Sequence, residues 1–466
     1  MKKVFLLILI CFSSFTAMAQ LDTVTVNDIL LVGNKKTKPK TILRELSFAV
    51  GEKINKEDLS EKLNESKLLL LNTNLFTQVD IYFSNWIGET NEVDITVQVV
   101  ETWYIFPLPL FELADRNFNV WWVDQKRSLE RTNYGVHFTH VNTTGRRDKL
   151  DLIAKFGYTK FLALSYEQPF INNAQNIGLD FDISFRQYRE INYATVENKQ
   201  AFYKNEDEFG LQLFNVTLGF DYRPFIRTTH RFSIGFDQHY ISRHVFTELN
   251  PNFFEFPINT QRYFYLEYSL SQDYRDYKYY PLNGYYLEGK LEKAGLGLFN
   301  ERSGFDLRLR YDKYYQLNKK FSVALLNRAK YSFIRNQQPY IANRAIGYNK
   351  DELRGYEYYV IDGLDMIYTK MSLRFEIINR TVKFGKIVPM EAFRLMPLRV
   401  MLSINNDLGY VNGPFARDQN PFNNRLLWGR GIGLDFVVYY NKVFSFEYSF
   451  NHLNEGGLFL HLNLNI

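Results

Sequence analysis

The sequence is poor in cysteine: Cys11 is the only one among 466 residues. It lies inside a short apolar run, Val4–Phe12, which follows two lysines and precedes Ala17-Met18-Ala19. A basic start, a short apolar run and an Ala-x-Ala site are the parts of a secretory signal peptide, so residues 1–19 are predicted to be removed. The mature chain then has no thiol, which excludes disulfides, cysteine catalysis and cysteine metal sites.

The sequence also lacks long apolar runs and an excess of one charge. No run approaches the roughly 20 apolar residues of a membrane-spanning helix, and the N-terminal run is itself too short. Removal of Lys2 and Lys3 reduces the 56 basic residues to 54, against 51 acidic residues, which leaves a net charge of +3. A helical membrane protein is therefore excluded, and nothing indicates nucleic acid as a partner.

What the sequence has instead is alternation of apolar and polar residues from Trp103 onward. In the last segment, Leu458, Leu460 and Leu462 share one face of an extended strand, whereas His461 and Asn463 share the other. Further segments with this alternation begin at Tyr285, Phe305, Met371 and Phe444. A soluble sandwich also has one polar face, but here the segments have the length of tilted membrane strands and aromatic residues reach 17%. Residues 103–466 are therefore predicted to form a transmembrane antiparallel β-barrel of about sixteen strands.

Short and long connections tend to alternate along this region. The short ones are 143–147, 318–320 and 441–442, and the long ones are Arg189–Gly210, Ser242–Gln261, Ser332–Asp365 and Asp407–Gly429. Outer-membrane barrels have short periplasmic turns and long outer loops. The expected location is the outer membrane of a Gram-negative bacterium, with both ends of the barrel in the periplasm and membrane lipids around it.

Residues 20–102 have the pattern of a small soluble α/β domain. A β-rich run, Val24–Val32, is followed by a helix that opens at Pro39 and by a second helix over 55–71. Two strands, Phe76–Phe83 and Glu92–Val100, complete the order strand, helix, helix, strand, strand. The fold class is therefore all-β membrane barrel with one preceding βααββ periplasmic domain.

Signatures of enzymes are missing from the sequence. It has no G-x-S-x-G, no P-loop and no H-E-x-x-H. His137 and His140 are three residues apart on an expected strand, so they point to opposite faces and do not chelate together. We therefore expect no enzyme activity, no cofactor and no metal site.

Three polar clusters are the candidate functional residues. The first is Arg354-Gly355-Tyr356 in the longest loop, which by itself is also compatible with an ordinary glycine turn. The second is a pair of lumen acids, Glu376 and Asp407, on the strands after that loop. The third is compatible with a plain polar hairpin turn and consists of Asp273, Arg275, Asp276, Pro281 and Gly284.

Together these motifs resemble the superfamily of outer-membrane assembly and translocation barrels, which includes BamA, TamA and the two-partner secretion transporters. Arg354-Gly355-Tyr356 is similar to the arginine-glycine-aromatic motif of the sixth outer loop. That loop lies between strands 11 and 12 in the superfamily, and the strand count places the loop of this chain there independently. The third cluster resembles the D-x-R-D…P-x-x-G turn of many members. Tyr166 to Phe170 and Asp407-Leu408-Gly409 resemble a Y-x-x-P-aromatic strand end and a D-x-G motif. The resemblance makes the N-terminal domain a polypeptide-transport-associated (POTRA) domain.

The resemblance implies that the long loop folds into the lumen, where Arg354 needs a carboxylate; Glu376 and Asp407 are the expected partners. It further implies a role in inserting or translocating unfolded or exported polypeptides, with the POTRA domain engaging clients or partner proteins of the periplasm or outer membrane. A passive channel and a structural subunit of a larger outer-membrane complex are the alternatives. Pro107 and Pro109 are either part of a weak seam in the first strand or part of a linker.

Overall fold

The computed structural model describes residues 23–88, 90–114, 120–204, 208–348, 351–385, 388, 394–415, 420–439 and 442–464. The predicted signal peptide, residues 1–19, lies outside them. The chain divides into two compact units, one ending at Thr102 and the other beginning at Trp103. Among the described residues, no helix is both long and apolar enough to cross a membrane.

The N-terminal unit is a four-stranded sheet with two helices. Its elements are β1 (Thr23–Val32), α1 (Pro39–Leu43), β2 (Lys53–Asn55), α2 (Lys56–Leu71), β3 (Phe76–Ile87) and β4 (Glu92–Glu101). The strand order is β2-β1-β4-β3, with β1 and β4 parallel. The predicted order is confirmed with one addition, β2, whose three residues are too few to show a period in the sequence.

The core of this unit follows from two periodicities. Alternate residues of β4, from Val93 to Val99, are buried on the face that the sheet turns inward. Leu59, Leu63 and Leu70 recur at helical spacing on α2 and are also buried. Pro39 stands in the first turn of α1, where its missing N–H is no loss. The amphipathic patterns therefore account for both helices and for the sheet they cover.

The second unit is almost entirely β. Its strands are β5 (Ile105–Leu113), β6 (Thr132–Val141), β7 (Lys149–Gly157), β8 (Thr159–Gln168), β9 (Ile177–Tyr188), β10 (Glu190–Val196), β11 (Lys199–Lys204), β12 (Leu211–Phe225), β13 (Thr228–Ile241), β14 (Thr260–Asp273), β15 (Gly284–Ala294), β16 (Gly304–Gln316), β17 (Phe321–Ser332), β18 (Arg344–Ile346), β19 (Ile361–Asp362), β20 (Asp365–Lys383), β21 (Leu395–Asn412), β22 (Leu427–Val438), β23 (Lys442–Phe450) and β24 (Gly456–Leu464). Single helical turns lie at Val120–Asp124, Leu129–Arg131, Val245–Leu249 and Tyr340–Ala342.

Within the described residues, sixteen of these strands form one antiparallel sheet that runs from β5 to β24, so the predicted strand number is confirmed. The other four strands form two small hairpins, β10–β11 and β18–β19, inside long connections. One end of the barrel carries most of the short turns, and we call it the short-turn end. The opposite end, the long-loop end, has a single-residue connection at Tyr158. The expected loop from Asp407 to Gly429 is shorter than predicted, because β21 continues to Asn412.

The two faces of the sheet differ in polarity. On β12 and β13, large apolar side chains such as Phe220, Phe232 and Ile234 are exposed on the outer face. Asp180 and Arg231 form an ion pair on the inner face, where the Asp180 side chain is buried. An exposed apolar outer face with charges on the opposite face is the arrangement of a barrel in lipid.

The first barrel strand contains Pro107 and Pro109, which pair with Phe138 and Val136 of β6, so the linker interpretation is wrong for them. The carbonyl of Tyr104 accepts a hydrogen bond from the β6 side, and the amide of Ala114 donates one there. Since backbone groups alternate in direction along a strand, the even-numbered residues of β5 face β6. Both prolines therefore place their missing donors on the free edge of the sheet.

Candidate functional site

The longest loop, residues 333–364, joins the eleventh and twelfth barrel strands, β17 and β20, as predicted. At its centre Leu353 to Tyr356 form a tight turn in which the Tyr356 amide donates to the Leu353 carbonyl at 3.1 Å. Gly355 occupies the third position with φ +82°, as in a type II turn. The turn directs the Arg354 side chain away from the loop and toward the barrel wall.

Close backbone contact explains the glycine. A Cβ on Gly355 would lie 2.4 Å from the carbonyl carbon of Phe450 and 2.6 Å from the amide nitrogen of Asn451. Gly429 of β22 is required for the same reason, since a Cβ there would lie 2.0 Å from the Arg354 carbonyl oxygen. The loop therefore rests directly on the backbone of β22 and on the end of β23.

Arg354 bonds two carboxylates of the barrel wall. Its Nη1 donates to Oδ1 of Asp407 at 2.9 Å, and its backbone amide donates to Oδ2 of the same residue at 3.1 Å. Its Nε donates to Oε1 of Glu447 at 2.9 Å. The Asp407 side chain is fully buried and that of Arg354 is 13% exposed. Burial alone would lower the pKa of Arg354, but the facing carboxylates of Glu447 and Asp407 raise it above its ordinary value.

Asp407 lies against Arg354 in the structure, but Glu376 does not. The prediction that Glu376 is a partner of Arg354 is therefore wrong. Glu376 accepts from Nε of Arg399 at 3.1 Å and from Asn379 at 3.1 Å. Lys370 lies opposite Asp407 in the sheet, and Glu376 is six residues further along β20, which is roughly 20 Å nearer the short-turn end. The right face of the strand was predicted, but the depth in the barrel was not.

Two apolar neighbours of the arginine anchor the loop. Tyr356 is 1% exposed, its hydroxyl bonds Nδ1 of His452 at 2.6 Å, and it accepts from the Trp428 amide at 2.9 Å. Leu353 is equally buried in a cluster with Met366 and other residues of the loop and wall. A Cβ on Gly409, the glycine of the D-x-G motif, would lie 2.5 Å from a Leu353 methyl carbon. The loop is thus held by packing as well as by charge.

At the short-turn end, the predicted turn motif stabilises the connection between β14 and β15. Arg275 makes a two-pronged bond to Asp273, with distances of 2.7 and 2.6 Å, and donates to the Lys278 carbonyl at 2.8 Å. The Asp276 carboxylate accepts the amides of Tyr277 and Leu282 at 2.8 and 3.0 Å.

The last two residues of the motif act through the backbone. The carbonyl of Pro281 accepts from Nη1 of Arg374 on β20 at 3.1 Å. Gly284 has φ +99°, and a Cβ there would lie 2.0 Å from the Tyr274 carbonyl oxygen.

This turn crosses the lumen to the far wall, which the sequence did not indicate. The Tyr280 hydroxyl donates to Oδ2 of Asp435 on β22 at 2.6 Å, and the Arg374 guanidinium lies over its ring. Tyr280 and Leu282 pack against Met401 and two valines of β22 and β23. Burial lowers the pKa of Lys278 in the turn to about 8. The short-turn end of the lumen is therefore occupied by a folded turn.

The Y-x-x-P-aromatic motif, Tyr166 to Phe170, lies near the same end. Tyr166 on β8 donates to Oδ2 of Asp148 at 3.0 Å, and Phe170, just after the strand, is 2% exposed. The strand ends at Gln168, one residue before Pro169. Because proline has no N–H to donate to a neighbouring strand, Pro169 suits a position just after the strand ends.

Sequence reasoning missed Glu447, Tyr280 and Asp435. For Glu447 a signal existed: it is the only acid on the Ser445 and Ser449 face of β23, which the alternation directs to the lumen. Tyr280 gave no such signal. It is one of four tyrosines between positions 274 and 280, and nothing in the sequence distinguishes it from the other three.

Comparisons with known proteins agree with this architecture. Residues 24–102 match the POTRA family model, described as surface antigen variable number repeat. BamA from Haemophilus ducreyi lacking POTRA domains 1–3 is 16% identical, with a TM-score of 0.52 over 94% of this chain and 83% of that one. CdiB from Escherichia coli is 11% identical, with a TM-score of 0.55 over 95% and 75% of the two chains. CdiB from Acinetobacter baumannii is 14% identical, with a TM-score of 0.51 over 95% and 74%. Among curated proteins, no sequence matches significantly.

The chain therefore combines a domain that matches the POTRA family model with a sixteen-stranded sheet of the fold found in BamA and CdiB. The resemblance inferred from the motifs and the fold found in the structure agree.

Proposed function

We propose that this chain is an outer-membrane barrel of a Gram-negative bacterium that assists polypeptides to insert into, or cross, the outer membrane. Residues 1–19 direct export and are removed, residues 20–102 form the periplasmic POTRA domain, and residues 103–466 span the membrane. The short-turn end faces the periplasm and the long-loop end faces outward. The role is non-enzymatic and needs no cofactor.

The observation that carries the proposal is the lumen loop, held by the buried contacts of Arg354 with Asp407 and Glu447. Truncating one partner of a dry ion pair costs about 3–5 kcal/mol, so such a loop is fixed in one place. A passive diffusion pore has no need of a loop bonded through its lumen. Arg354 also links the loop to β21 and β23, near the end of the sheet. A movement of these strands would therefore alter the contacts of the loop.

The long-loop end gives a second reason against a passive channel. Its loops share an apolar core that contains Ile191, Ile241, Val245, Phe253 and Phe254. Asn198 donates to Asn420 at 2.7 Å and accepts from the Phe422 amide at 3.0 Å, which joins the β10–β11 hairpin to the loop after β21. Loops that pack and bond one another in this way form a cover rather than an open mouth.

The POTRA domain offers a surface for clients or partner proteins. β3 is an edge strand of its sheet, and the C-terminal half of β3 exposes Tyr82, Phe83 and Trp86. An edge strand pairs with an extended peptide through main-chain hydrogen bonds, while neighbouring apolar side chains add contact area. The edge of β3 therefore suits an unfolded client or a partner segment.

The edge of the barrel at β5 suits the same role. Pro107 and Pro109 remove two donors from the side of β5 that would face β24, so a seam there would have fewer hydrogen bonds than other strand pairs. A weaker seam would yield to an incoming strand more readily than the rest of the wall.

Depletion of the protein in its native cell, followed by quantification of the outer-membrane and secreted proteomes, tests the proposal. Broad loss of barrel proteins would indicate a general assembly role. Loss of one or a few exported proteins would indicate a dedicated transporter. An unchanged proteome would contradict the proposal and favour a channel or a structural subunit.

A further inference from the structure

Three metal-ligating side chains meet beside the arginine of the lumen loop. Glu357 of the loop, Glu447 of β23 and His461 of β24 each offer one ligand atom, and these three atoms lie within 4.8 Å of one another. Glu357 and Glu447 are 5% and 7% exposed. Glu357 is about a hundred positions from the other two residues, so no spacing in the sequence predicts this group.

The geometry between Glu447 and His461 fits a coordinated cation better than a hydrogen bond. Oε2 of Glu447 and Nε2 of His461 are 3.5 Å apart, beyond the usual 2.7–3.2 Å of a hydrogen bond. Zinc binds oxygen and nitrogen at about 2.0–2.2 Å, so two tetrahedral ligands are separated by roughly 3.4 Å. The observed separation therefore corresponds to one edge of a zinc coordination tetrahedron.

Arg354 orients the site without occupying it. Its Nε bonds Oε1 of Glu447, which fixes the carboxylate and leaves Oε2 directed to His461. A hydrogen bond from a neighbouring side chain to a ligating carboxylate holds that metal ligand in place.

The charges also favour a cation. Asp407 and Glu447 both bond the Arg354 guanidinium, and Glu357 adds a third carboxyl group within 4.8 Å of Glu447. The ammonium of Lys370, a further cation near Glu357 and Glu447, donates to the Glu352 carbonyl at 3.1 Å. The side chain of His461 is 41% exposed, which leaves a route from water in the lumen.

We propose that Glu357, Glu447 and His461 form a binding site for a divalent transition-metal ion, with Zn²⁺ the best match, and with water as the fourth ligand. Two carboxylates and one imidazole are donors that suit Zn²⁺. A bound ion would link the lumen loop to the last two strands of the sheet, next to its free edge. The site goes beyond the proposed transport role, and its test does not depend on that role.

The test uses the full-length protein, purified in detergent, stripped with a chelator and dialysed against ZnCl₂, with bound zinc counted by mass spectrometry. We expect one zinc per chain. Glu357→Gln and His461→Gln should each weaken binding by at least the roughly 10–100-fold that loss of an outer-shell partner causes. Glu352→Gln in the same loop and His137→Gln on another wall should bind like the unmodified protein.

Two measurements keep the test decisive. Heat-modifiable mobility in gels reports whether each variant is folded. X-ray absorption of the zinc-loaded unmodified protein should show oxygen and nitrogen ligands with one imidazole, which does not require any variant to fold. Absence of stoichiometric zinc, equal binding by folded Glu357→Gln and His461→Gln variants, or a spectrum without imidazole would each overturn the proposal.

Discussion

Nε of Arg354 donates to Oε1 of Glu447 at 2.9 Å, although the two residues are 93 positions apart. The bond joins the tip of the longest loop to the fifteenth barrel strand. Together with the bond to Asp407 it places one guanidinium between two carboxylates inside the lumen.

Replacing Arg354 should release the loop. Arg354→Ala leaves Asp407 and Glu447 without their cation, at a cost of about 3–5 kcal/mol in a dry site and less in a wet lumen. We expect faster cleavage of the loop by protease and impaired function. Arg308→Ala is the matched control, because Arg308 also bonds the loop, through Asp351 at 3.3 Å, but is 42% exposed. Normal growth and normal protease resistance of Arg354→Ala would contradict the assignment.

The two candidate acids can be separated directly. Glu447→Gln removes a charge that bonds Arg354, whereas Glu376→Gln removes one that bonds Arg399 near the other end of the barrel. In the presence of a chelator, only Glu447→Gln should increase protease cleavage of the loop. Equal cleavage rates in the two variants would mean that the Arg354–Glu447 bond does not hold the loop.

A pair of glycines with the same backbone conformation tests the close approach of loop and strand. Gly355 and Gly297 both have φ +82°, but a Cβ at Gly297 meets nothing within 4 Å. Gly297→Ala should therefore lower the stability of the folded protein only by the conformational cost of about 1–2 kcal/mol. Gly355→Ala should lower it more, because the new methyl group overlaps the backbone of Phe450. The temperature at which heat-modifiable mobility is lost measures both, and similar shifts would argue against a tight contact.

The short-turn end should depend on one hydroxyl group. Tyr280→Phe removes the bond to Asp435, and a hydrogen bond to a charged group contributes about 1.5–3 kcal/mol. Barrel stability should fall, as measured by thermal unfolding in detergent. Tyr274→Phe is the control, since Tyr274 is exposed and stacks on Tyr285. An equal effect of the two changes would show that the turn is not held across the lumen.

The free edge of β5 should become a better partner when its donors are restored. The predicted removal of residues 1–19 would leave the mature chain without cysteine, so cysteine pairs introduced along β5 and β24 report contact between the strands through disulfide yield. Pro107→Ala with Pro109→Ala should increase that yield, because two N–H groups return to the edge. Pro397→Ala, in β21 and away from the edge, should leave it unchanged. Efficient cross-linking along the whole strand before any proline is replaced would argue against a weak seam.

The local patterns of the sequence determined most of the architecture. Alternation with period two depends only on neighbouring residues, so it predicted the strands, their inner and outer faces, and the place of the long loop between the eleventh and twelfth strands. Helical periodicity and Pro39 did the same for α1 and α2. The arginine-glycine-tyrosine turn was visible for the same reason, since its conformation is set by consecutive residues.

Only the tertiary structure decided which side chains meet. Alternation directs both Glu376 and Glu447 to the lumen, but the distance along the barrel depends on strand register and on how far the loop descends. The bonds from Arg354 to Glu447 and from Tyr280 to Asp435, and the meeting of Glu357 with His461, arise because the long loop and the β14–β15 turn fold against distant strands of the sheet. They join residues that are about a hundred positions or more apart, and no period in the sequence records such a contact.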